Sequence, residues 1–271
     1  MRCQHCQGEE FVKAGFDRFH RQMHRCTSCG RRQTERSLSA FSGYRFPDEV
    51  IALAVRWYLR FRLPYSDVAE LLAERGVHVD PSTVFDWVQH FTPLYQDAGR
   101  AHRHRVGRCW SIDETYLRIA GRWCYASRAI DEDGQVIDVY VSPHRDMAAA
   151  RAFLTRAMES TEVTPDTVTT DKAPIYPPAF TAVLPKADHI TGKIEQQQIE
   201  RDHQHLKGRT RSMRGFETVS CAQVICEGHG LIRNLSCGFY RLGLPVSHPG
   251  AAQTPRLVRA WDELTVTLAA A

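Results

Sequence analysis

No run of eighteen consecutive apolar residues occurs in the 271-residue chain, so no segment is long enough to cross a bilayer as a helix. The opening Met1-Arg-Cys-Gln-His-Cys6 lacks the apolar stretch of an export signal. These two absences predict a cytoplasmic protein with no membrane partner. Net charge is also scarce: 35 Lys+Arg against 31 Asp+Glu leaves +4, too little to name a partner by itself. A content of 43% hydrophobic and 24% charged residues excludes disorder along the whole chain. The length suffices for a core with one or two small accessory modules. In a reducing compartment the nine cysteines are expected as thiols or metal ligands rather than disulfides.

What is present is unevenly distributed. Residues 1–46 carry nine Lys/Arg against four acids, and a second basic run, Lys207, Arg209, Arg211 and Arg214, lies far downstream. Both suit a phosphate backbone, although a basic patch alone is usually a solvated face. Within the first basic segment, Cys3-Gln-His-Cys6 and Cys26-Thr-Ser-Cys29 form two C-x2-C pairs separated by 19 residues. That spacing predicts a four-cysteine Zn²⁺ site in a module spanning 1–45, because so short and polar a segment has too little apolar surface to fold without a staple. The competing reading is a redox pair. His5, His20 and His24 are spare ligands, whereas Cys109, Cys124, Cys221, Cys226 and Cys237 show no second pairing and read as small buried residues.

Residues 46–95 show three helical patterns, marked by Ile51, Val55 and Tyr58, by Val68, Leu71 and Leu72, and by Val84, Val88 and Phe91. Gly76 can end the second, while Asp80 and Pro81 open the third. Three helices with a short turn before the last resemble a helix-turn-helix domain, with Ser82, Thr83, Asp86 and Gln89 facing outward as DNA contacts; the alternative is a plain helical bundle. Residues 96–108 lack sustained periodicity and read as a linker.

From residue 109 to 235 the pattern becomes mixed α/β. Strands are expected over 110–119, 123–130 and 136–141, with turns at Ala120-Gly121 and Asp131-Glu-Asp-Gly134, then a helix over 146–159 and a short strand, Thr167–Thr170, ending at Asp171. This order is similar to a ribonuclease H-like fold, which sets metal-binding acids on adjacent strand ends and on a following helix. Alternation places Asp113 with Thr115 and Leu117, opposite Glu114 and Tyr116, so Asp113 is the preferred first acid. Taken singly, each acid is better read as structural, a lone Asp in a turn being usually a cap. On a helix, Glu200 shares a face with His203 and Lys207. Residues 236–271 form a tail in which Leu257, Trp261 and Leu264 suggest a short helix, docked on the core or on a second subunit.

The motifs Trp110-Ser-Ile-Asp-Glu-Thr-Tyr116, Gly121-Arg-Trp123, Ala129-Ile-Asp131, Thr170-Asp-Lys-Ala-Pro-Ile-Tyr176 and Ile199-Glu-Arg-Asp-His-Gln-His-Leu-Lys207 resemble transposases of the insertion-sequence-6 family. Val55-Arg-Trp-Tyr58 and Leu71-Leu-Ala-Glu-Arg-Gly76 upstream, and Arg214-Gly-Phe216 downstream, extend the resemblance over about residues 46–235. It implies a DDE triad at Asp113, Asp171 and Glu200 that holds Mg²⁺ or Mn²⁺. It also implies recognition of terminal inverted repeats, strand cleavage and transfer into target DNA without a covalent intermediate, and a homodimer, nucleoid-associated when bound to DNA. His203, Lys207, Arg209 and Arg211 would then contact DNA. Three departures stand out. Only 28 residues separate Asp171 from Glu200, Gln197 and Gln198 precede the Ile-Glu pair, and Asp86 takes a position that is commonly basic. The alternative function is a catalytically silent, transposase-derived DNA-binding regulator, and a third is a structure-specific nuclease.

Overall fold

The computed structural model describes residues 1–171, 173–192, 204, 206–210, 213, 215–243 and 253–270. The first unit is a three-stranded antiparallel sheet of β1 (Phe11–Phe16), β2 (Gln22–Cys26) and β3 (Arg32–Gln33). Its two cysteine pairs sit in matching turns. The Cys3 amide donates to Gly8 and that of Gln7 to Cys3, just as the Cys26 amide donates to Arg31 and that of Gly30 to Cys26. Each turn closes through a left-handed residue, Gln7 at φ 61° and Gly30 at φ 73°.

Three helices follow: α1 (Asp48–Arg60), α2 (Tyr65–Ala73) and α3 (Pro81–Arg100). The Asp80 side chain accepts from the Ser82 amide, at 2.8 Å, and so caps α3 at its start. Helix α3 passes through Pro93, which removes one backbone donor, and runs to Arg100, so the segment expected as a linker from residue 96 begins as helix. Packing outweighs the proline there. Tyr95 stacks on Trp261 with centroids 3.9 Å apart, its hydroxyl meets that of Thr265 at 2.7 Å, and a Cβ on Gly99 would lie 3.1 Å from Tyr240.

The larger sheet comprises β4 (Cys109–Ile119), β5 (Arg122–Ile130), β6 (Val136–Ser142), β7 (Thr167–Thr170) and β8 (Asp188–Thr191) in the order β6-β5-β4-β7-β8. The β4–β5 and β5–β6 pairs are antiparallel, whereas β4–β7 and β7–β8 are parallel. Helix α4 (Met147–Thr161) connects β6 to β7, and α5 (Tyr176–Val183) connects β7 to β8. The meander, the helix and the fourth strand stand where the hydrophobic pattern put them; β8 and α5 were not anticipated.

Two apolar clusters cover the sheet. Trp110, Ile112 and Val168 pack with Phe153, Leu154 and Phe180 of α4 and α5 on one side. Leu117, Ala126 and Val139 pack on the other with Leu206 and with Ala222 and Cys226 of α6 (Val219–Cys237). A third cluster joins α1, α2 and α3 to Ile225 and Leu231 of α6 and to Leu257, Trp261 and Leu264 of α7 (Gln253–Ala270). The tail helix therefore docks on its own chain, where the Trp261 indole donates to the Ala52 carbonyl at 3.0 Å. Among the described residues no helix is long and apolar enough to cross a membrane.

Candidate active site and zinc centre

Two of the expected acids lie on neighbouring strands, Asp113 within β4 and Asp171 just past β7. Their parallel register pairs Cys109 with Thr167, Trp110 with Val168 and Ser111 with Thr169. Two residues further along, that register sets Asp113 level with Asp171 on adjoining strands, which run about 5 Å apart. Asp171 stands just past the last β7 residue, where its Oδ1 accepts from the Ala173 amide at 3.0 Å. The third acid, Glu200, together with His203 and Arg211, lies outside the described residues. Downstream, Leu206 is fully buried against the same sheet face as Leu117 and Thr115, which by alternation is also the Asp113 face.

Glu114 points to the opposite face and makes other bonds. The Tyr176 hydroxyl donates to its Oε1 at 3.0 Å, and Arg145 pairs with its Oε2. The same guanidinium donates to Asp171 Oδ2 at 2.9 Å. Burial, and after it the negative charge of Glu114, Asp171 and Asp113, pushes the Tyr176 phenol upward, so it remains a hydrogen-bond donor. Arg145 and Tyr176 are thus site residues that the sequence reading missed. The Asp146 side chain accepts from Ala149 N at 2.8 Å and caps α4 directly after Arg145, but no sequence signal ties Arg145 to the acids.

Asp113 and Asp171 are both half-buried and belong to inner strands of the sheet. The cavity of about 230 Å³ between α3, β6, α4 and α6 is lined by Arg103, Asp138, Arg156 and Glu227 and includes neither of them.

Other expected contacts are placed individually. Ser82 is exposed and Thr83 half-buried at the start of α3, with the Ser82 hydroxyl donating to Asp80 Oδ1 at 2.6 Å. Gln89 departs from the fully outward placement expected: it is half-buried, with its side-chain nitrogen interior and close to Tyr65. Lys207 is exposed. Arg209 is also corrected from a DNA contact to an internal strap. Only 3% exposed, it donates to the Tyr58 carbonyl at 2.8 Å and lies 4.3 Å from that residue's ring centre. Its long stem turns inward because α1 offers an open carbonyl and an aromatic face.

At the other end of the molecule, one sulfur from each of Cys3, Cys6, Cys26 and Cys29 falls within 4.8 Å of all the others. Cys3 Sγ lies 3.4 Å from Cys29 Sγ, and Cys6 Sγ lies 3.5 Å from Cys26 Sγ. Sulfurs about 2.3 Å from a tetrahedral zinc stand roughly 3.8 Å apart, so the cluster fits that ion. The His5 amide, opposed by burial, holds the Cys3 thiol down at about 6. At Cys6 the Gly8 amide lowers the thiol, but the neighbouring Cys26 and Cys29 groups prevail and push it up to about 12. A Cβ on Gly8 would lie 3.3 Å from Cys26 Sγ and 3.4 Å from Cys6 Sγ, so the chain wraps closely around the sulfurs.

A mixed sheet of this order, edged by acids on its two central strands, is a ribonuclease H-like core. The family described as DDE domain (DDE_Tnp_IS240) matches residues 107–238. The transposase for insertion sequence-like element IS431mec of Staphylococcus aureus (strain N315) is 39% identical over 188 residues, 67% of this chain and 83% of the relative. The transposase for insertion sequence element IS257 in transposon Tn4003, also from Staphylococcus aureus, is 38% identical with the same coverage. Among solved structures, the HTLV-2 integrase catalytic core domain in complex with magnesium (trimeric form) aligns with a TM-score of 0.40 at 12% identity, covering 58% of this chain and 99% of that one. The chain belongs to the insertion-sequence-6 family of DDE transposases.

Proposed function

We propose that this transposase binds the terminal inverted repeats of its insertion sequence and performs metal-dependent strand cleavage and strand transfer, with Asp113, Asp171 and Glu200 as its carboxylate triad. The observation that carries the proposal is the parallel register of β4 and β7, which, continued by two residues, pairs Asp113 with Asp171. The site already attracts positive charge, since the Arg145 guanidinium rests on Asp171 and Glu114. Hard carboxylate oxygens fit Mg²⁺ or Mn²⁺. Such ions, held by the triad, supply charge stabilisation for the oxygens that attack and leave the phosphorus.

The chain's own groups do the rest. Asp171 is held by the Ala173 amide and Arg145, which limits its rotation. Tyr176 and Arg145 fix Glu114, so the strand end keeps its shape as the substrate arrives. His203, Lys207 and Arg211 contact phosphates of the reacting strand. The helices α1, α2 and α3 read the element ends as a helix-turn-helix, led by Ser82 and Thr83 at the start of α3. Zn²⁺ at Cys3, Cys6, Cys26 and Cys29 folds the basic N-terminal module against the same DNA. A homodimer brings two ends together.

A strand-transfer assay with labelled element ends and Mg²⁺ tests this. Asp171→Asn is expected to keep end binding and lose joined product by at least roughly a hundredfold, the scale of losing a charge-stabilising group. Joined product at the wild-type level would remove the triad assignment. End binding with no joining by the wild-type chain would instead favour the silent regulator.

A further inference from the structure

The hairpin of β4 and β5 has two unlike faces beyond the acids. On one face Leu117, Ile119, Cys124 and Ala126 are buried in the cluster that contains Leu206 and α6. On the other, the register sets Glu114 opposite Ser127, Tyr116 opposite Tyr125 and Arg118 opposite Trp123. An outer hairpin face in contact with water ordinarily carries polar side chains. Here Tyr116 is 56% and Trp123 64% exposed. A lone exposed aromatic needs no explanation, but a contiguous group marks a surface that meets something. The Tyr116 ring lies 5.3 Å from that of Tyr125 and 6.3 Å from that of Trp123, the latter edge to face at 83°. The Arg118 guanidinium lies 6.0 Å from the centre of the Trp123 ring.

The patch continues the Glu114 face of β4, the face opposite Asp113. Tyr116 follows Glu114 by one strand period, roughly 7 Å, and Glu114 shares Arg145 with Asp171. From Thr115 to Ile130 the sequence contains no acid but has Arg118, Arg122 and Arg128, of which Arg128 is buried. A surface of flat aromatic rings edged by exposed cations fits a partner with flat faces and negative charge. Single-stranded DNA has both, whereas a duplex keeps its base faces stacked inside.

We propose that Tyr116, Trp123 and Tyr125, with Arg118 beside them, form a stacking platform for unpaired bases of the bound DNA strand. The proposal rests on the DNA reading above and adds the place where a frayed or cleaved strand end is held. Stacking tolerates any base, so the platform orients the strand without reading its sequence.

The test uses the zinc-loaded full chain and two probes: a blunt duplex of the element end, and the same duplex with a short single-stranded extension carrying 2-aminopurine. For the wild type, the extension is expected to tighten binding about tenfold and its fluorescence to be quenched by stacking. Trp123→Ala and Tyr116→Ala should lose both effects while blunt-duplex affinity and thermal melting stay unchanged, and Trp123→Phe should keep most of the gain. Quenching and tightening that persist in the Tyr116→Ala/Trp123→Ala double variant would overturn the platform. So would sedimentation of that variant as a smaller species, because the face would then belong to a second copy. Failure of the wild type to bind even the blunt duplex would instead remove the DNA reading on which the platform depends.

Discussion

The N-terminal sheet and the catalytic sheet use similar strand geometry but are held by different forces. In residues 1–33 only Cys3, Cys26 and Gln33 are buried, while Val12 and Phe16 stand 43% and 62% exposed. The catalytic sheet, by contrast, buries side chains on both faces against helices. A sheet with almost no apolar interior depends on its four sulfurs, whereas one sandwiched between helices depends on area removed from water. The cysteine module should therefore be separable from the rest by metal alone.

The largest expected effect follows. Chelation, or Cys26→Ser, should unfold residues 1–33, since structural zinc contributes on the order of 10 kcal/mol to such modules. Limited proteolysis at Arg18 and Arg21 would report it, and the thermal melt of the remainder should not move. Protection of those sites after verified metal loss would break the contrast.

On the apolar side, Trp261→Ala removes an indole that is fully buried, stacked on Tyr95 and bonded to Ala52. A loss of about 3–5 kcal/mol in urea unfolding is expected. Because the third cluster spans α1, α2, α3, α6 and α7, the helices and the α6 side of the core should lose stability in one transition. Two resolved transitions would show that the helical unit is independent.

A smaller effect comes from charge buried within the apolar frame. Burial pushes the Asp138 carboxyl up to about 6, against the opposing pull of Arg156, with Glu227 and Arg103 also nearby. Between its ordinary value of 3.8 and about 6, the folded state binds the proton more tightly than the unfolded chain. This group therefore makes the fold more stable as pH falls through that window, and costs up to about 3 kcal/mol above it. Asp138→Asn should flatten the dependence of urea midpoint on pH between roughly 4 and 6. An unchanged slope would assign the proton uptake elsewhere.

The smallest effect sharpens the contrast around Asp171, where charge rather than area sets the geometry. Glu114→Gln should lower strand transfer roughly tenfold, the scale of weakening one charge-assisted bond, by loosening Arg145. Asp113→Asn, on the other face of the same strand, should abolish it. Equal losses from both would mean that Glu114 belongs among the metal ligands.

Much of this was legible in sequence, and for identifiable reasons. Alternation over Trp110–Ile119 and the turn at Ala120-Gly121 read correctly because both faces of β4 are set by period-two burial, with Ala120 at φ 46° and Gly121 at φ 77°. The four cysteines read correctly because metal geometry constrains their spacing. Arg145 and Tyr176 were illegible because their role arises from strand adjacency across more than twenty residues, which no local pattern encodes. Arg209 and Gln89 were misread because a polar side chain on a helix was assumed to face water. Each instead meets an interior partner supplied by a distant element, the Tyr58 carbonyl and ring for Arg209 and Tyr65 for Gln89.

The most direct measurement is Mn²⁺ binding followed by electron paramagnetic resonance, on zinc-loaded chain bound to element-end DNA, comparing wild type with Asp113→Asn and Asp171→Asn. Protein-bound Mn²⁺ that is present in the wild type and lost in either variant is the predicted result. Binding that survives in both variants would mean that the two strand-end carboxylates do not hold the catalytic ions.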